Sequence, residues 1–85
     1  MKKVIKFHTP TCVSCKTYNP IFNKVATQYP GVEFQALDAT QNRELAAQFG
    51  IRGVPATIFL KNGMEVNRSM GPMSEQQLKQ SIDGL

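Results

Sequence analysis

Two cysteines, Cys12 and Cys15, are the residues of this sequence whose type and spacing predict chemistry most directly. They are the only cysteines in the 85-residue chain, and Val13 and Ser14 separate them. Thiols at this spacing can close into one disulfide and reopen to a dithiol. We expect Val13 and Ser14 to tune the redox potential of such a pair through local geometry and polarity.

The pattern around the cysteines predicts that Cys12 opens a helix. A helix N-terminus offers unpaired backbone N–H groups and the positive end of the helix dipole, and both favour a thiolate. We therefore predict that Cys12 is an exposed nucleophile that attacks a disulfide of a partner. Cys15 lies one turn further along, on the apolar stripe of the helix, and is predicted to resolve the mixed disulfide. Such a cycle needs no metal and no cofactor.

Three ionisable residues near the pair are candidates for tuning it. Lys16 follows the motif and either favours a thiolate by its charge or only solubilises the helix. His8 titrates near neutral pH, so it is a candidate base or charge partner for Cys12, unless it fills the place of an aromatic. Lys6 either snorkels from a sheet face or, if it is buried and charged, favours the thiolates.

The rest of the sequence predicts the elements that position this site, in the order β-α-β-α-β-β-α. Strands are indicated over 4–8, 32–37, 55–60 and 65–70, and the first helix over 12–29, with Pro20 predicted to kink it. The middle helix is short, with Thr40 or Asn42 as its cap and Gly50 as its end. The last begins with a capping box over 74–77 and continues to residue 82 or beyond.

These elements predict one domain over residues 1–85 with an α/β fold. The first two strands, joined through a helix, should be parallel by a right-handed crossover, and the last two form an antiparallel hairpin around Asn62 and Gly63. The result is a four-stranded mixed sheet with helices on both faces.

Composition and charge exclude several classes of protein. Ten Lys and Arg against six Asp and Glu give a net charge of +4, but the basic residues are scattered, which argues against a nucleic-acid partner. The sequence shows neither a signal peptide nor a membrane-spanning segment, so we expect a cytoplasmic protein. In a reducing compartment, a C-x-x-C pair is typical of catalysis or metal binding.

Three motifs together resemble the thioredoxin family: C-V-S-C at 12–15, G-I-R-G-V-P at 50–55 and F-L-K-N-G at 59–63. The resemblance extends from residue 4 to residue 85. It implies a monomeric thiol-disulfide oxidoreductase that reduces protein disulfides and receives electrons from a reductase of the thioredoxin reductase type. It also implies that Pro55 is in the cis form, with client disulfides bound between Cys12 and the backbone of Val54 and Pro55.

The sequence departs from the family pattern beside the site. Lys6 stands where the family has a buried acid, and Ala36 stands where that acid has its lysine partner. Thr11 and His8 replace two aromatic residues. The acid–base relay of typical thioredoxins therefore cannot be transferred to this chain.

Two other functions remain open from the sequence. The small size and the Cys-Val-x-Cys dithiol also resemble glutaredoxin-like electron donors to ribonucleotide reductase. However, the stretch 71–74, Gly-Pro-Met-Ser, lacks the paired glycine and acid that hold glutathione, so glutathione is the less favoured donor. A copper chaperone would also use soft thiolates, but such chains generally run β-α-β-β-α-β.

Overall fold

The computed structural model describes all residues, 1–85, and contains the seven elements in the predicted order. The strands are β1 (Lys2–His8), β2 (Val32–Asp38), β3 (Ala56–Lys61) and β4 (Met64–Met70). The helices are α1 (Val13–Ala26), α2 (Arg43–Gln48) and α3 (Glu75–Asp83). None of the three helices has both the length and the apolar character needed to cross a membrane.

The strands form one mixed sheet in the order β2-β1-β3-β4. β1 pairs with β2 in parallel and with β3 antiparallel, and β3 pairs with β4 antiparallel. β1 is therefore a central strand, and its end at His8 leads directly into the turn that precedes the cysteines. The predicted fold class is confirmed.

The two faces of the sheet carry separate apolar clusters, as expected for a three-layer α/β fold. α1 and α3 supply residues to the larger cluster, which includes Val4, Phe22, Phe59 and Ile82. α2 covers the opposite face, where Phe7 and other strand residues pack with it. Because successive strand residues alternate between faces, Lys6 and His8 lie on the α1 side with Val4.

Several element boundaries differ from the sequence predictions. α1 begins at Val13, with Cys12 as its N-cap, and it runs through Pro20 but ends at Ala26 rather than near residue 29. At that end the hydroxyl of Thr27 donates to the carbonyl oxygen of Lys24 at 2.7 Å, which satisfies a terminal acceptor.

The middle helix and the strand after it also differ in detail. Asn42 is the N-cap of α2, but its side chain makes no capping bond. Its Nδ2 donates instead to the carbonyl oxygen of Asp38 at 2.9 Å, which holds the preceding turn. β3 begins at Ala56 rather than at residue 55.

Two local signals correspond closely to the structure. Asn62 and Gly63 both have positive φ, at 54° and 83°, as a two-residue hairpin turn of type I′ requires. The capping box at α3 is complete: the Ser74 hydroxyl accepts from the Gln77 N–H and the Gln77 side chain accepts from the Ser74 N–H, both at 3.1 Å. Met73 is buried beside the start of this helix.

Candidate active site

The two cysteines form a disulfide at the N-terminus of α1, with their Cα atoms 5.2 Å apart. Cys12 has extended backbone dihedrals, φ −78° and ψ 113°, as an N-cap residue should. Its sulfur accepts a hydrogen bond from the backbone N–H of Cys15 at 3.1 Å. An N–H of the first helical turn therefore already points at the atom that would carry negative charge in the reduced protein.

The two sulfur atoms differ in their access to solvent. Cys15 is buried, with 1% of its surface exposed, whereas Cys12 is half-buried. Cys12 is thus less exposed than the sequence predicted, because its sulfur lies 3.5 Å from the Ser14 hydroxyl and 3.7 Å from the Val54 carbonyl oxygen. Val13 is 78% exposed.

The Val54–Pro55 loop lies against Cys12 and completes the site. The peptide bond between these two residues is cis, and the Pro55 side chain is buried. The carbonyl oxygen of Pro55 accepts from the Gly71 N–H at 2.8 Å. Gly71 has a φ of 87°, a conformation that glycine adopts without strain. The loop before α3 therefore anchors the backbone that faces the disulfide.

His8 lies at the end of β1, but none of the hydrogen bonds of the structure joins it to Cys12. The imidazole is half-buried, and its Nδ1 is buried without a hydrogen-bond partner. Burial lowers the pKa of His8, the charge of Lys6 lowers it further, and Asp38 opposes both effects. The structure thus favours the neutral imidazole, which makes His8 a poor charge partner for a thiolate.

The two lysines near the motif have different surroundings. Lys16 is exposed, and its amino group makes none of the hydrogen bonds or ion pairs in the structure. Lys6 does not snorkel to solvent, since only 2% of its surface is exposed. Its amino group donates to Asn19 Oδ1 and lies 5.0 Å from the centroid of the Phe22 ring. Burial lowers the pKa of Lys6.

The family model for thioredoxin matches residues 1–84 of this chain, which is nearly its whole length. The chain belongs to the thioredoxin family. The resemblance drawn from the three sequence motifs is thereby confirmed, and the Cys12–Cys15 disulfide has the geometry of a dithiol redox site of this family.

Individual thioredoxins show how much of the fold is shared. The chain is 41% identical to the SPbeta prophage-derived thioredoxin-like protein YosR of Bacillus subtilis, over 81% of each chain. It is 32% identical to thioredoxin H5 of Oryza sativa over 80% of its own length, but it spans only 50% of that relative. Fasciola hepatica thioredoxin superposes with a TM-score of 0.92 at 32% identity, covering 98% of this chain and 79% of that one.

Sequence reasoning missed three features of this thioredoxin-family site. Asn19, the hydrogen-bond partner of Lys6, was not singled out, although it is four residues after Cys15 and so shares its helix face. The buried hydroxyls of Tyr18 and Thr57 bond at 2.7 Å and join α1 to β3. Polar groups within the apolar stripe of α1 are the one sequence signal that could have indicated these two features.

The third feature is a shallow cavity of about 390 Å³ that adjoins the Val54 side of the site. Its floor is mainly apolar and includes Ile51, and two arginines, Arg43 and Arg52, also line it. No carboxylate contributes to the lining. Arg43 belongs to α2 and Arg52 to the loop that follows it, so no local sequence pattern indicated that they share a surface.

Proposed function

We propose that this protein reduces disulfide bonds of client proteins by dithiol exchange, with Cys12 as the nucleophile and Cys15 as the resolving thiol. The observation that carries the proposal is the hydrogen bond from the Cys15 N–H to the Cys12 sulfur at the N-cap of α1. A donor fixed in this position stabilises a thiolate without any reorganisation of the backbone. Only Cys12 of the pair also reaches solvent.

The exchange proceeds in two balanced steps. The Cys12 thiolate attacks one client sulfur, and the client disulfide breaks as the mixed disulfide forms. Cys15, deprotonated, then attacks the Cys12 sulfur, so that the bond to the client breaks and the second client thiolate leaves. Two electrons pass from the dithiol to the client, and two protons are taken up by the client thiolates.

The backbone of Val54 supports a role in holding the client. Its carbonyl oxygen lies 3.7 Å from the Cys12 sulfur and is held there by the anchored Pro55 loop. A client segment in extended conformation could pair with this backbone as an added strand. The adjoining cavity supplies apolar contact, and the charges of Arg43 and Arg52 favour acidic clients.

The cellular setting belongs to the same proposal. A reductase with a C-x-x-C pair fits a reducing compartment, so we place the protein in the cytoplasm, acting as a monomer. We expect its electrons to come from a thioredoxin reductase rather than from glutathione, because the stretch 71–74 lacks an anion-holding turn. Tuning of the thiols by Val13, Ser14 and Lys16 remains a prediction.

Reduction of insulin disulfides with dithiothreitol as the electron source tests the proposed function. The wild type should catalyse the reaction, and Cys12→Ser should abolish catalysis because no nucleophile remains. Cys15→Ser is the matched control, since it removes the same atom one turn further along the same helix. It should lose turnover yet accumulate a mixed disulfide with insulin, visible by non-reducing electrophoresis.

Two outcomes would contradict the proposed roles of the cysteines, and a third would contradict the proposed electron donor. A Cys12→Ser variant with full activity would show that Cys12 is not the nucleophile. A Cys15→Ser variant that forms no mixed disulfide would show that the order of the two thiols is wrong. Faster reduction of the oxidised protein by glutathione than by a thioredoxin reductase would overturn the choice of donor.

A further inference from the structure

Lys6 is the only charged residue buried in this protein, and the exchange mechanism described above gives it no role. Its amino group has two neighbours, the amide oxygen of Asn19 and the ring of Phe22, and both are neutral. None of the four ion pairs of the protein includes Lys6. A buried ammonium without a counter-ion is costly, since its hydration is lost and little replaces it.

The elements around Lys6 offer no carboxylate to compensate that charge. On β1, His8 favours its neutral form. On β2, the carboxylate of Asp38 is engaged by the turn that follows it, where it accepts two hydrogen bonds from residue 40. On β3, the neighbour across the sheet is Thr57, and its hydroxyl is paired with that of Tyr18 from α1.

Cys15 is the remaining titratable group on the helix face that covers Lys6. Cys15, Asn19 and Phe22 occupy positions i, i+4 and i+7 of α1, so they form one stripe. Helical side chains lean toward the N-terminus of their helix. The Asn19 side chain, which accepts from the Lys6 amino group, therefore extends toward Cys15. Cys15 is 1% exposed, so a thiolate formed there would lack water to solvate it.

We propose that Lys6 is a positioning residue whose buried ammonium is the counter-charge of the Cys15 thiolate. In the disulfide form this ammonium has no partner of opposite charge. In the reduced form the thiolate and the ammonium compensate each other within one buried layer. The proposal rests on the proposed function only in assigning the resolving role to Cys15.

The pairing acts on the second step of the exchange. The Cys15 thiol loses its proton to water, and its thiolate is stabilised beside Lys6 until it attacks the Cys12 sulfur. As the Cys12–Cys15 bond forms, the bond to the client sulfur breaks and the client leaves as a thiolate with the electron pair. That thiolate takes up a proton from water, so Lys6 itself gains and loses nothing.

The pairing also has a thermodynamic consequence. A charge that stabilises the dithiol form more than the disulfide form raises the reduction potential of the pair. Lys6 therefore makes this protein a weaker reductant than the same site with a neutral residue would be. The same interaction lowers the pKa of the Cys15 thiol.

The test is the redox equilibrium of the protein with defined mixtures of reduced and oxidised glutathione. Lys6→Met keeps the length of the side chain and removes the charge. We expect the variant to be oxidised about tenfold more readily, equivalent to a reduction potential lower by about 30 mV. Lys2→Met is the matched control, since it removes the same charge from the same face of β1, about 13 Å away along the strand, and should leave the equilibrium unchanged.

A second variant addresses the case in which Lys6→Met does not fold. Asn19→Asp gives the ammonium a carboxylate in both redox states, so it should shift the equilibrium in the same direction while Lys6 remains. The pKa of the Cys15 thiol, measured by the ultraviolet absorbance of its thiolate in a Cys12→Ser background, should rise in both variants. In Lys6→Met, a purely structural role for Lys6 would leave that pKa unmoved.

The outcomes separate this proposal from the function on which it rests. The role of Lys6 would be overturned if the redox equilibrium constants of Lys6→Met and Asn19→Asp lie within about threefold of the wild-type value. It would also be overturned if Lys2→Met shifts the equilibrium as much as Lys6→Met does. A wild type that fails to reduce insulin would refute the proposed function, but it would leave the equilibrium with glutathione measurable.

Discussion

At the scale of single residues, the site depends on where two sulfur atoms lie relative to one helix end. The backbone N–H of Cys15 reaches the Cys12 sulfur at 3.1 Å, so the proposed nucleophile is also the helix cap. The Cys15 sulfur accepts none of the hydrogen bonds of the structure, and Cys15 is buried. The two cysteines, separated by two residues, therefore place their sulfur atoms in different surroundings: Cys12 has a backbone donor and access to solvent, and Cys15 has neither.

His8 provides a test of how burial controls charge near the site. Its native pKa lies below the ordinary value of 6.5, chiefly because of burial. Between these two pKa values the unfolded chain therefore binds more protons than the native protein. The stability that neutral His8 confers is complete above about pH 6.5, and it is lost as pH falls through the native pKa of His8.

We predict that His8→Phe weakens this pH dependence. Urea unfolding at about pH 7.5 and about pH 5.0 should show a smaller loss of unfolding free energy in the variant than in the wild type. The pKa of Asp38, the carboxylate that interacts with His8, is lowered chiefly by its bonds to Thr40, so Asp38 stays ionised over this range. The other carboxylates titrate equally in both proteins, so the difference isolates the imidazole. Equal losses in both proteins would mean that His8 has the same pKa folded and unfolded.

At the scale of elements, α1 positions the cysteines and α3 supports the loop that faces them. α3 begins just after Gly71, whose N–H holds the Pro55 carbonyl oxygen. The capping box at Ser74 and Gln77 defines where that helix starts. A loss of this cap should therefore reduce stability and loosen the loop beside Cys12.

We predict that Ser74→Ala lowers the unfolding free energy by about 1 kcal/mol, because the Gln77 N–H loses its acceptor. Ser81→Ala is the matched control, since it removes a hydroxyl from within the same helix. Alanine has the higher helix propensity, so the control should not be destabilised. Urea denaturation measures both, and equal effects would show that the cap contributes nothing.

The order of the elements could be predicted from sequence because it depends on local patterns. Apolar alternation marked the strands, and Asn62-Gly63 and the Ser74 capping box marked a turn and a helix start. The end of α1 was misplaced because Tyr29 continues the apolar spacing beyond Ala26, where the helix ends. Tyr29 instead bonds Asp83 at 2.9 Å, a tertiary contact that no local pattern contains.

The site could be predicted only in part, for the same reason. The cysteine spacing and the Val54-Pro55 motif indicated the reacting residues and the loop beside them. The burial of Lys6 and its bond to Asn19 depend on how α1 crosses the sheet. Asn19 lies 13 residues after Lys6, so no local pattern contains this contact. The grouping of Arg43 and Arg52 around one cavity likewise arises only when α2 packs beside the Val54 loop.

At the scale of the whole molecule, the fold is what turns ordinary thiols into a redox pair. The sheet brings the end of β1, the start of α1 and the Pro55 loop together, and the helix and the loop place the Cys15 N–H and the Val54 carbonyl oxygen beside the Cys12 sulfur. A protein of this size has only a modest core, so only a small free energy of folding maintains this arrangement. Its reactivity should therefore disappear when the chain unfolds.

The pH dependence of alkylation of the reduced protein shows whether the fold activates Cys12. In the native protein, Cys12 should react with iodoacetamide with a midpoint well below the ordinary thiol pKa of about 8.5, while Cys15 stays protected. In guanidinium-unfolded protein, both thiols should titrate near that ordinary value. Two native thiols that react slowly, with midpoints unchanged by unfolding, would show that the fold does not activate Cys12.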